Sequence, residues 1–273
     1  MVDAVVKPSP QAADTRSILF SCARAIMTAA MKVIGCLPFS CRGAFGWLLG
    51  YIVGLLPTRE HRITSLQTRL FLPDQNTQRL VPRVFANAGR TLLESINLEP
   101  IIKRRQTTIT CGSWPRIRNW VNDARPIVAL TAHTGNWDLL AAYIIAEGIP
   151  LTTIGREARN PLAQSLLRNI RDGYGIETIW RSDRGAVKRL LECLRERRVI
   201  AALIDQDTRV ESIMVPFFGS PAKTPSSLIA LGRKANARFV SAFLFRSSPS
   251  SWEVFVEELP DSVDDKTVLE EYN

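Results

Sequence analysis

Histidine and paired cysteine are scarce in this 273-residue chain. It has two histidines, His61 and His133, and five cysteines, none of which forms a C-x-x-C pair with another. Protein zinc sites need about four Cys, His or carboxylate ligands, and disulfide frameworks use an even set of regularly spaced cysteines. The sequence therefore predicts no metal site and no disulfide scaffold. Its thiols are typical of buried side chains in a reducing compartment.

Three further absences narrow the class of protein. There is no internal repeat or low-complexity tract, and hydrophobic residues (46%) and charged residues (22%) occur in ordinary globular proportions. Disordered, collagen-like and coiled-coil proteins are therefore excluded. No G-x-S-x-G segment is present, so the turn that carries a serine nucleophile in α/β-hydrolases is not predicted. No convincing cleavage site follows the first apolar stretch, which argues against a cleavable signal sequence.

The formal charge of +9 is unevenly distributed. Residues 1–252 carry 34 Lys and Arg against 18 Asp and Glu, a net charge of +16, whereas the remainder holds eight acidic residues and one lysine. A basic body of this size suits an anionic partner: a membrane surface, a phosphate-bearing substrate or a nucleic acid. No recognisable nucleic-acid-binding motif accompanies the charge, so we expect no nucleic-acid partner and favour lipids or phosphates.

The amino-terminal segment is strongly apolar. Residues 17–37 are interrupted only by Arg24 and Lys32, which lie about 80° apart on a helix and form one narrow basic stripe. This pattern is typical of a helix that lies in the lipid headgroup region or of a tilted anchor. Residues 44–56 are uncharged but too short to span a bilayer alone. We therefore predict a membrane-associated helical segment over 1–58, with a buried helical pair as the alternative.

The remainder, residues 59–273, is predicted to be an α/β domain. Residues 59–90 show a polar helical pattern broken at Leu72-Pro73-Asp74, and beyond Pro126 short β-rich runs alternate with helices. We predict strands at 127–132, 151–154, 176–180, 199–204, 239–245 and 252–256. Helices are predicted at 137–147, 162–172 and 185–196, with another that begins at Thr224-Pro225. The expected fold is α/β, a mixed β-sheet flanked by helices with a helical, membrane-associated amino-terminal layer.

Chemically competent residues are concentrated at the end of the first of these strands. The strand ends near His133, a glycine-containing turn follows, and Asp138 falls in the first turn of the next helix. A carboxylate that holds one imidazole nitrogen leaves the other free to take a proton from a hydroxyl. The backbone N–H groups at the helix start suit an oxyanion or phosphate. A lone histidine after a strand is, however, often purely structural.

These residues carry a resemblance to a known family. His133-x4-Asp138 resembles the H-x4-D/E box of the glycerolipid acyltransferase superfamily, and the run His-Thr-Gly-Asn-Trp-Asp resembles the bacterial lipid A late (lauroyl/myristoyl) acyltransferases. Four further blocks follow in the expected order: Ile154-Gly155-Arg156 with Asn160-Pro161, Arg171 four residues before Gly175, Asp205-Gln206-Asp207, and the run from Val215 to Ala222. The resemblance covers about residues 125–246 and extends loosely to residue 17.

The resemblance implies an acyltransferase that moves a fatty acyl chain from an acyl carrier protein or acyl-CoA thioester to a hydroxyl of a lipid A precursor-like glycolipid. His133 would be the general base and Asp138 its orienting partner, with no cofactor and no covalent acyl-enzyme. Membrane lipids would be the partners, and the location the cytoplasmic face of the bacterial inner membrane. The family usually continues into a Trp- and Arg-rich tail, where this chain has an acidic stretch. A phosphatidylinositol mannoside, an ornithine-type lipid or a lysophospholipid therefore remain alternative acceptors.

The two arginines of the resemblance each have two interpretations. Arg156 follows a strand end, where it can bind an acceptor phosphate or stabilise a tetrahedral intermediate. Alternatively, it is a surface arginine beside Glu157, since surface ion pairs are common. Arg171 has the same two interpretations, with Asp172 as its surface partner. We expect both to bind substrate.

The remaining candidates also have structural alternatives. Asp205 and Asp207 would hold Arg156 or sugar hydroxyls, or would simply cap the turn after the strand. Gln206, between them, is a further candidate substrate ligand. Asn136 is a candidate substrate ligand or a turn residue. The segment Pro216-Phe217-Phe218-Gly219, with Phe218 and Gly219 as candidate substrate ligands, is expected in a wall of the acyl or acceptor groove, although an aromatic pair after a strand is more often core.

Three classes of function thus remain from the sequence. A membrane-bound O-acyltransferase predicts His133 beside Asp138 at the mouth of a long apolar groove surrounded by basic residues. A non-catalytic lipid-binding protein would keep the groove and misalign His133. A nucleic-acid binder is motivated only by the basic charge, and it would need a strong salt-dependent affinity for DNA or RNA. The first class is favoured.

Overall fold

A seven-stranded, mostly parallel β-sheet forms the centre of the protein. The computed structural model describes residues 10–123, 125–206, 209–260 and 264–273, with side chains from residue 20 onward. The strands are β1 (Thr108–Thr110), β2 (Ile127–Thr131), β3 (Leu151–Gly155), β4 (Glu177–Trp180), β5 (Val199–Leu203), β6 (Ser212–Phe217), β7 (Ser220–Pro225), β8 (Arg238–Ser248) and β9 (Ser251–Glu258). The sheet order is β1-β9-β8-β2-β5-β3-β4, and β6 and β7 form a separate two-stranded hairpin.

Helices cover both faces of the sheet and precede it in the chain. They are α1 (Pro10–Cys36), α2 (Phe39–Gly54), α3 (Arg59–Phe71), α4 (Thr77–Glu94), α5 (Leu98–Lys103), α6 (Trp114–Asn122), α7 (Trp137–Ala146), α8 (Pro161–Asp172), α9 (Ala186–Arg195), α10 (Ser227–Lys234) and α11 (Asp265–Tyr272). The break predicted at residues 72–74 falls between α3 and α4. The α/β prediction is thereby confirmed for the described residues.

Strand β2 shows why the sheet lies inside the molecule. Its five residues are all buried, because it is paired on both sides: Ile127 lies opposite Val199 of β5 and Arg238 of β8, both in parallel register. Alternate side chains point to opposite faces of a strand. Ala129 accordingly joins the core cluster under α6 and α7, whereas Leu130 joins the cluster under α9, α10 and α11. A strand buried on both faces is continuously apolar, which made its position predictable.

The direction of the sheet reverses at its far end. Strands β8, β2, β5, β3 and β4 run parallel, β9 runs antiparallel to β8, and β1 is parallel to β9. Phe243 of β8 lies opposite Phe255 of β9 in this hairpin. The five parallel strands therefore end at one common edge, and the loops that follow them form a continuous surface there.

Helix α2 packs on α4 through glycines. A Cβ atom added to Gly46 would lie 2.4 Å from the carbonyl oxygen of Gly89, and one added to Gly50 would lie 2.2 Å from that of Phe85. Any larger side chain would separate the two helices. Close contact of helix backbones through small residues is typical of helices that pack in lipid.

The large apolar side chains of α2 point the other way. They are exposed on the opposite face and in the turn that follows: Phe45, Leu48, Leu49, Ile52, Val53, Leu55 and Leu56. Helix α3 adds an exposed apolar set of its own: Ile63, Leu66, Leu70 and Phe71. We call these eleven side chains the apolar face. Across the described residues no single helix is both long and apolar enough to cross a membrane, but α2 and α3 together, bent by 88°, meet that test by length and composition.

Most of the strands and helices beyond Pro126 lie where the sequence predicts them, within about three residues. The hairpin of β6 and β7 was not predicted, and it delays the following helix, which begins at Ser227 rather than at Thr224. Thr224 and Pro225 belong to β7, paired with Ile213 and Ser212. Strand β1 and helices α5, α6 and α11 were also not predicted, since each is short and weakly patterned.

Candidate active site

Four polar residues lie at the common edge of the parallel strands, and all but Arg181 were predicted from the sequence. His133 follows β2, Asp205 follows β5, Arg156 follows β3 and Arg181 follows β4. Ligands of open α/β sheets bind at the carboxyl ends of the strands. In this chain β5 inserts between β2 and β3, so residues far apart in sequence become neighbours at that edge.

The closest pair at this edge is His133 and Asp205. The imidazole Nδ1 of His133 lies 2.8 Å from Asp205 Oδ1, and the backbone N–H of His133 donates to Asp205 Oδ2 at 2.9 Å. One carboxylate therefore holds both the ring and the main chain of the histidine. The ionised carboxylate accepts only, so Nδ1 carries the proton and Nε2 is left as the basic nitrogen.

The electrostatics of Asp205 favour its ionised form. Burial alone would raise the pKa of its carboxyl group, but the hydrogen bonds and positive charge from His133 outweigh burial, and the pKa is held below its usual value. The carboxylate therefore stays charged at neutral pH. It is thus able to stabilise an imidazolium at His133 when the ring takes up a proton.

The turn between His133 and α7 is held tightly. Gly135 has a φ of +60°, and a Cβ added to it would lie 1.7 Å from the carbonyl oxygen of Leu244, so only glycine fits there. Asn136 is fully buried, and its Oδ1 accepts from the N–H of Leu139 as the N-cap of α7. The Thr91 hydroxyl donates to the carbonyl of Gly135 at 3.0 Å. Asn136 thus has the structural role foreseen as its alternative.

Asp138 lies behind the histidine in the first turn of α7. It is 7% exposed, and its Oδ1 is 3.7 Å from Nε of Arg171 on α8. Burial raises the pKa of its carboxyl group, while Arg171, the hydroxyls of Tyr174 and Ser95 and the His133 ring lower it, and the net direction is upward. The partner of Arg171 is therefore Asp138 and not the neighbouring Asp172.

The hydrogen-bond partner of His133 differs from the sequence prediction. The five-residue spacing predicts that Asp138 folds back onto the ring, but the carboxylate on Nδ1 is that of Asp205. The reason is the sheet order: β5 lies beside β2, so the residues after the two strands are adjacent, whereas the α7 turn directs Asp138 inward to Arg171. His133 instead meets Trp137 edge to face, with ring centroids 4.9 Å apart.

A cleft of about 930 Å3 opens beside this pair. Its polar part includes His133, Arg156, Arg159, Arg171 and Arg181, at the carboxyl edge of the sheet. Its apolar wall comes from strands β3, β4 and β5 and from helices α9 and α10, and includes Ile154, Ile179, Leu190, Ala202, Leu228 and Leu231. Volumes of about 300–1,000 Å3 are typical of ligand sites. The cleft therefore combines a cationic rim with a lipophilic interior.

A second cavity lies on the opposite face of the sheet, between the sheet and helices α6 and α7. It holds about 90 Å3 and is lined almost entirely by apolar side chains such as Trp120, Ala141 and Val240. Trp137 and Arg171 border both spaces, so the smaller cavity ends behind the same edge of the sheet.

Comparison with known protein families identifies the family of this chain. The family model described as "Bacterial lipid A biosynthesis acyltransferase" matches residues 12–268, which is nearly the whole chain. The chain belongs to the bacterial lipid A biosynthesis acyltransferase family. The resemblance inferred from the His133-x4-Asp138 run is thereby confirmed.

The chain is also similar, at low identity and over part of its length, to curated acyltransferases. A phosphatidylinositol mannoside acyltransferase of Mycobacterium tuberculosis (strain CDC 1551 / Oshkosh) is 26% identical over 95 residues, which cover 34% of this chain and 30% of the relative. A protein of the same name from Mycolicibacterium smegmatis is 24% identical over 115 residues, 41% of this chain and 38% of the relative. The matched part thus spans about a third of the length of these relatives.

Within this acyltransferase family member, some predicted site residues line the cleft and others do not. Arg156, Arg171 and Gln206 do. Phe218 and Gly219 instead form the tip of the β6–β7 hairpin, each with a positive φ, and the Phe218 ring is 66% exposed against Phe217. They are not among the cleft residues, because the chain reverses there in a tight turn. Asp207 lies outside the described residues.

Three residues of the candidate site were not predicted from the sequence. Arg159 and Arg181 line the cleft, and Trp137 contacts the His133 ring. Arg181 directly follows a predicted strand, the same signal that selected Arg156, so it could have been found. The interpretation of Arg156 as the partner of Glu157 is not supported, since the Glu157 carboxylate accepts from the N–H and hydroxyl of Ser182.

Proposed function

We propose that the protein is a membrane-associated O-acyltransferase that transfers a fatty acyl chain from the thioester of an acyl carrier protein or coenzyme A to a lipid hydroxyl. The observation that carries the proposal is the hydrogen bond between His133 Nδ1 and Asp205 in the wall of a cleft that is cationic at its rim and apolar inside. A tautomer fixed in this way equips Nε2 as a general base.

The reaction that this geometry supports needs no covalent enzyme intermediate. Nε2 of His133 takes the proton of the acceptor hydroxyl as its oxygen attacks the thioester carbonyl carbon. The C–S bond then breaks, and the imidazolium returns the proton to the departing sulfur, so that an ester and a free thiol result. Asp205 stabilises the transient imidazolium, and its lowered pKa keeps it ionised for that role.

Positive charge beside the histidine suits the negative charge of the tetrahedral intermediate and of phosphate groups. Arg171 lines the cleft with its side chain 12% exposed, and its Nη1 has no hydrogen-bond partner among the described residues. Arg156, Arg159 and Arg181 add three guanidinium groups at the rim. Guanidinium groups bind phosphate oxygens in pairs, so these three suit a phosphate-bearing donor or acceptor.

The apolar wall of the cleft is the proposed acyl-chain site. Ile154, Ile179 and Leu190 present contiguous apolar side chains below the cationic rim. Removing a methylene group from water contributes about 0.8 kcal/mol, so a fatty chain gains substantial binding energy there. The smaller cavity, at about 90 Å3, is far smaller than the cleft, and His133 lines the cleft rather than that cavity.

The acceptor is proposed to be a phosphate-bearing glycolipid of the lipid A precursor type. A phosphatidylinositol mannoside is the second candidate, because that is the lipid in the names of the curated relatives. Both classes present a sugar hydroxyl beside a phosphate, which matches a general base beside arginines. A lysophospholipid remains a third option for the same constellation.

The apolar face of α2 and α3 is the proposed membrane contact. Its eleven exposed apolar side chains form a lipophilic surface, and the basic net charge of residues 1–252 suits anionic lipid headgroups. We place the protein at the cytoplasmic face of the bacterial inner membrane, where acyl thioesters and membrane lipids meet. The basic stripe of Arg24 and Lys32 lies on α1, where both side chains are exposed.

The experiment that tests this function is acyl transfer from radiolabelled acyl carrier protein and acyl-CoA to a panel of bacterial lipids. We expect label on one lipid class with the wild type and none with His133→Ala. The matched control is His61→Ala, the only other histidine, whose ring contacts the carbonyl of Gly54. Equal labelling by His133→Ala and wild type would overturn the mechanism. Binding of a fatty acyl probe without transfer from any donor would favour the non-catalytic alternative.

A further inference from the structure

The last helical residue of the chain, Tyr272, lies against the candidate active site. Helix α11 brings it there, because Val268 and Leu269 are fully buried under the sheet and fix the rotation of the helix. The carboxylate of Asp264 caps the helix start by accepting from the N–H of Thr267. A short helix anchored at both its start and its apolar face therefore holds Tyr272 in one position.

The Tyr272 hydroxyl forms a hydrogen bond at the end of β2, where β2 also bonds to the residue that follows β5. It donates to the carbonyl oxygen of Thr131 at 2.8 Å, and the N–H of Ile204 donates to the same oxygen at 3.0 Å. This oxygen therefore joins the end of β2 to the residue that follows β5. Two residues after Thr131 the chain reaches His133, and one residue after Ile204 it reaches Asp205.

The ring of Tyr272 contacts the neighbouring strand on the other side. It stacks on Phe243 of β8 with ring centroids 6.1 Å apart and planes inclined by 29°. Burial, together with the negative charge of Asp205, raises the pKa of the Tyr272 phenol. The hydroxyl therefore remains protonated and keeps donating throughout the physiological pH range. One side chain thus contacts the end of β2 and packs on β8, and the oxygen that it binds also accepts from the residue that follows β5.

We propose that Tyr272 is a positioning residue for the His133–Asp205 pair. It acts by fixing the carbonyl oxygen of Thr131, two residues before His133, which also accepts from the N–H of Ile204 directly before Asp205. The expected effect on kcat rests on the proposed function. The effect on the hydrogen bond between His133 and Asp205 does not. Nothing in the sequence motifs assigns a role to this residue.

Tyr272→Phe is the direct kinetic test, because it removes the hydroxyl and keeps the ring on Phe243. We expect kcat to fall by about fivefold, the factor that corresponds to one net hydrogen bond, with KM unchanged because Tyr272 is not among the cleft residues. The matched control is Tyr143→Phe, whose ring packs on Trp114 in the opposite core layer. An unchanged kcat in Tyr272→Phe, or an equal fall in Tyr143→Phe, would overturn the proposal.

A double-mutant cycle separates positioning from general stability. In an Asp205→Asn background, Tyr272→Phe should have no further effect on kcat, since the pair that it positions is already broken. A fully independent fivefold loss in that background would refute action through the pair. A lower melting temperature of Tyr272→Phe with unchanged kcat would assign a structural role only.

A nuclear magnetic resonance measurement makes the test independent of activity. The chain has two histidines, so 15N-histidine labelling yields two imidazole spin systems, and His133→Ala identifies one of them. We expect the Nδ1 proton of His133 to exchange with solvent about fivefold faster in Tyr272→Phe, and the His61 ring to be unaffected. An unchanged exchange rate would overturn the positioning role. If the wild type transfers no acyl chain but Nδ1 exchange is faster in Tyr272→Phe, the proposed function is wrong and the positioning role stands.

Discussion

The carboxylate of Glu94 and the guanidinium of Arg246 form an ion pair between helix α4 and strand β8, and the Glu94 side chain is only 1% exposed. The guanidinium also stacks on Trp252, 3.8 Å from the ring centroid, and Arg90 approaches the same carboxylate at 3.5 Å. Burial raises the pKa of Glu94, while the two arginines and Asn136 counter that effect. The pair ties the helical layer to the sheet behind the turn that joins His133 to α7.

Breaking this pair should strongly destabilise the protein. We expect Arg246→Met to lower the free energy of unfolding by about 3 kcal/mol, because it leaves a buried carboxylate without its main partner. Arg246→Met with Glu94→Leu should cost less than the single change. Urea unfolding measures both. The exposed pair Lys103 and Glu99 is the control, and its removal should cost about 1 kcal/mol or less.

Asp205 should matter for turnover far more than for binding. Asp205→Asn keeps the shape of the side chain but removes the charge that orients the His133 ring. We expect kcat to fall by about 10²–10⁴-fold with little change in KM. Steady-state acyl transfer measures this, and a variant with near wild-type kcat would show that the His133–Asp205 hydrogen bond has no catalytic part.

The buried Asp138 should give a stability difference that depends on pH. Because burial raises its pKa in the folded state, the folded protein binds this proton more tightly than the unfolded chain does. The stabilising effect is present at low pH and is lost as pH rises through the folded-state pKa. Relative to Asp138→Asn, which mimics the protonated form, the wild type should lose stability between acid and neutral pH. Denaturant unfolding across that range would contradict this if the difference stayed constant.

Narrowing the cleft should change the preferred acyl chain. Leu228→Trp adds bulk to the apolar wall on α10. We expect kcat/KM for the longest accepted donor to fall by about tenfold while shorter donors are retained, since overpacking costs about 1–3 kcal/mol. The control is Ala141→Leu in the smaller cavity across the sheet, which should leave chain preference unchanged. The opposite result would move the acyl chain to that cavity.

Charge placed on the apolar face should release the protein from membranes. Leu49→Lys with Ile52→Lys exchanges two exposed apolar side chains of α2, and burying each contributes about 1.5–3 kcal/mol. Affinity for anionic vesicles should fall by about a hundredfold in sedimentation assays. Phe255→Lys, an exposed aromatic position on β9, is the control. Arg24→Glu with Lys32→Glu tests the basic stripe of α1, and retained binding would confine membrane contact to α2 and α3.

The sequence predicts the central elements because their patterns are strong. Strand β2 is five consecutive buried apolar or small residues, and α8 starts at an Asn160-Pro161 cap that is visible in the letters alone. The β6–β7 hairpin contains Pro216, Pro221 and Pro225, which suggest a loop or a helix start. The hairpin itself is local, with its two strands joined by a two-residue turn at Phe218 and Gly219, but the prolines hide it from a propensity-based prediction.

The site divides in the same way. His133 and two of the four cleft arginines, Arg156 and Arg171, follow from motif positions, and each lines the cleft. The partnership of His133 with Asp205 spans 72 residues and depends on β5 lying next to β2, which no local spacing reveals. Asp138 was paired by nearness in sequence, and the sheet order overrides that nearness.

Helix α2 packs against α4 with small residues and exposes most of its large apolar side chains, the reverse of the usual arrangement in a water-soluble protein. Its contact with α4 is made by the small residues at 43, 46, 50 and 54, so the large outward side chains take no part in internal packing. Those at 45, 48, 49, 52, 53, 55 and 56 can therefore be rewritten together as Lys, Glu and Gln while every inward glycine is retained. If this surface is the membrane contact proposed above, a redesign confined to it would keep the fold and separate acyl transfer from membrane binding.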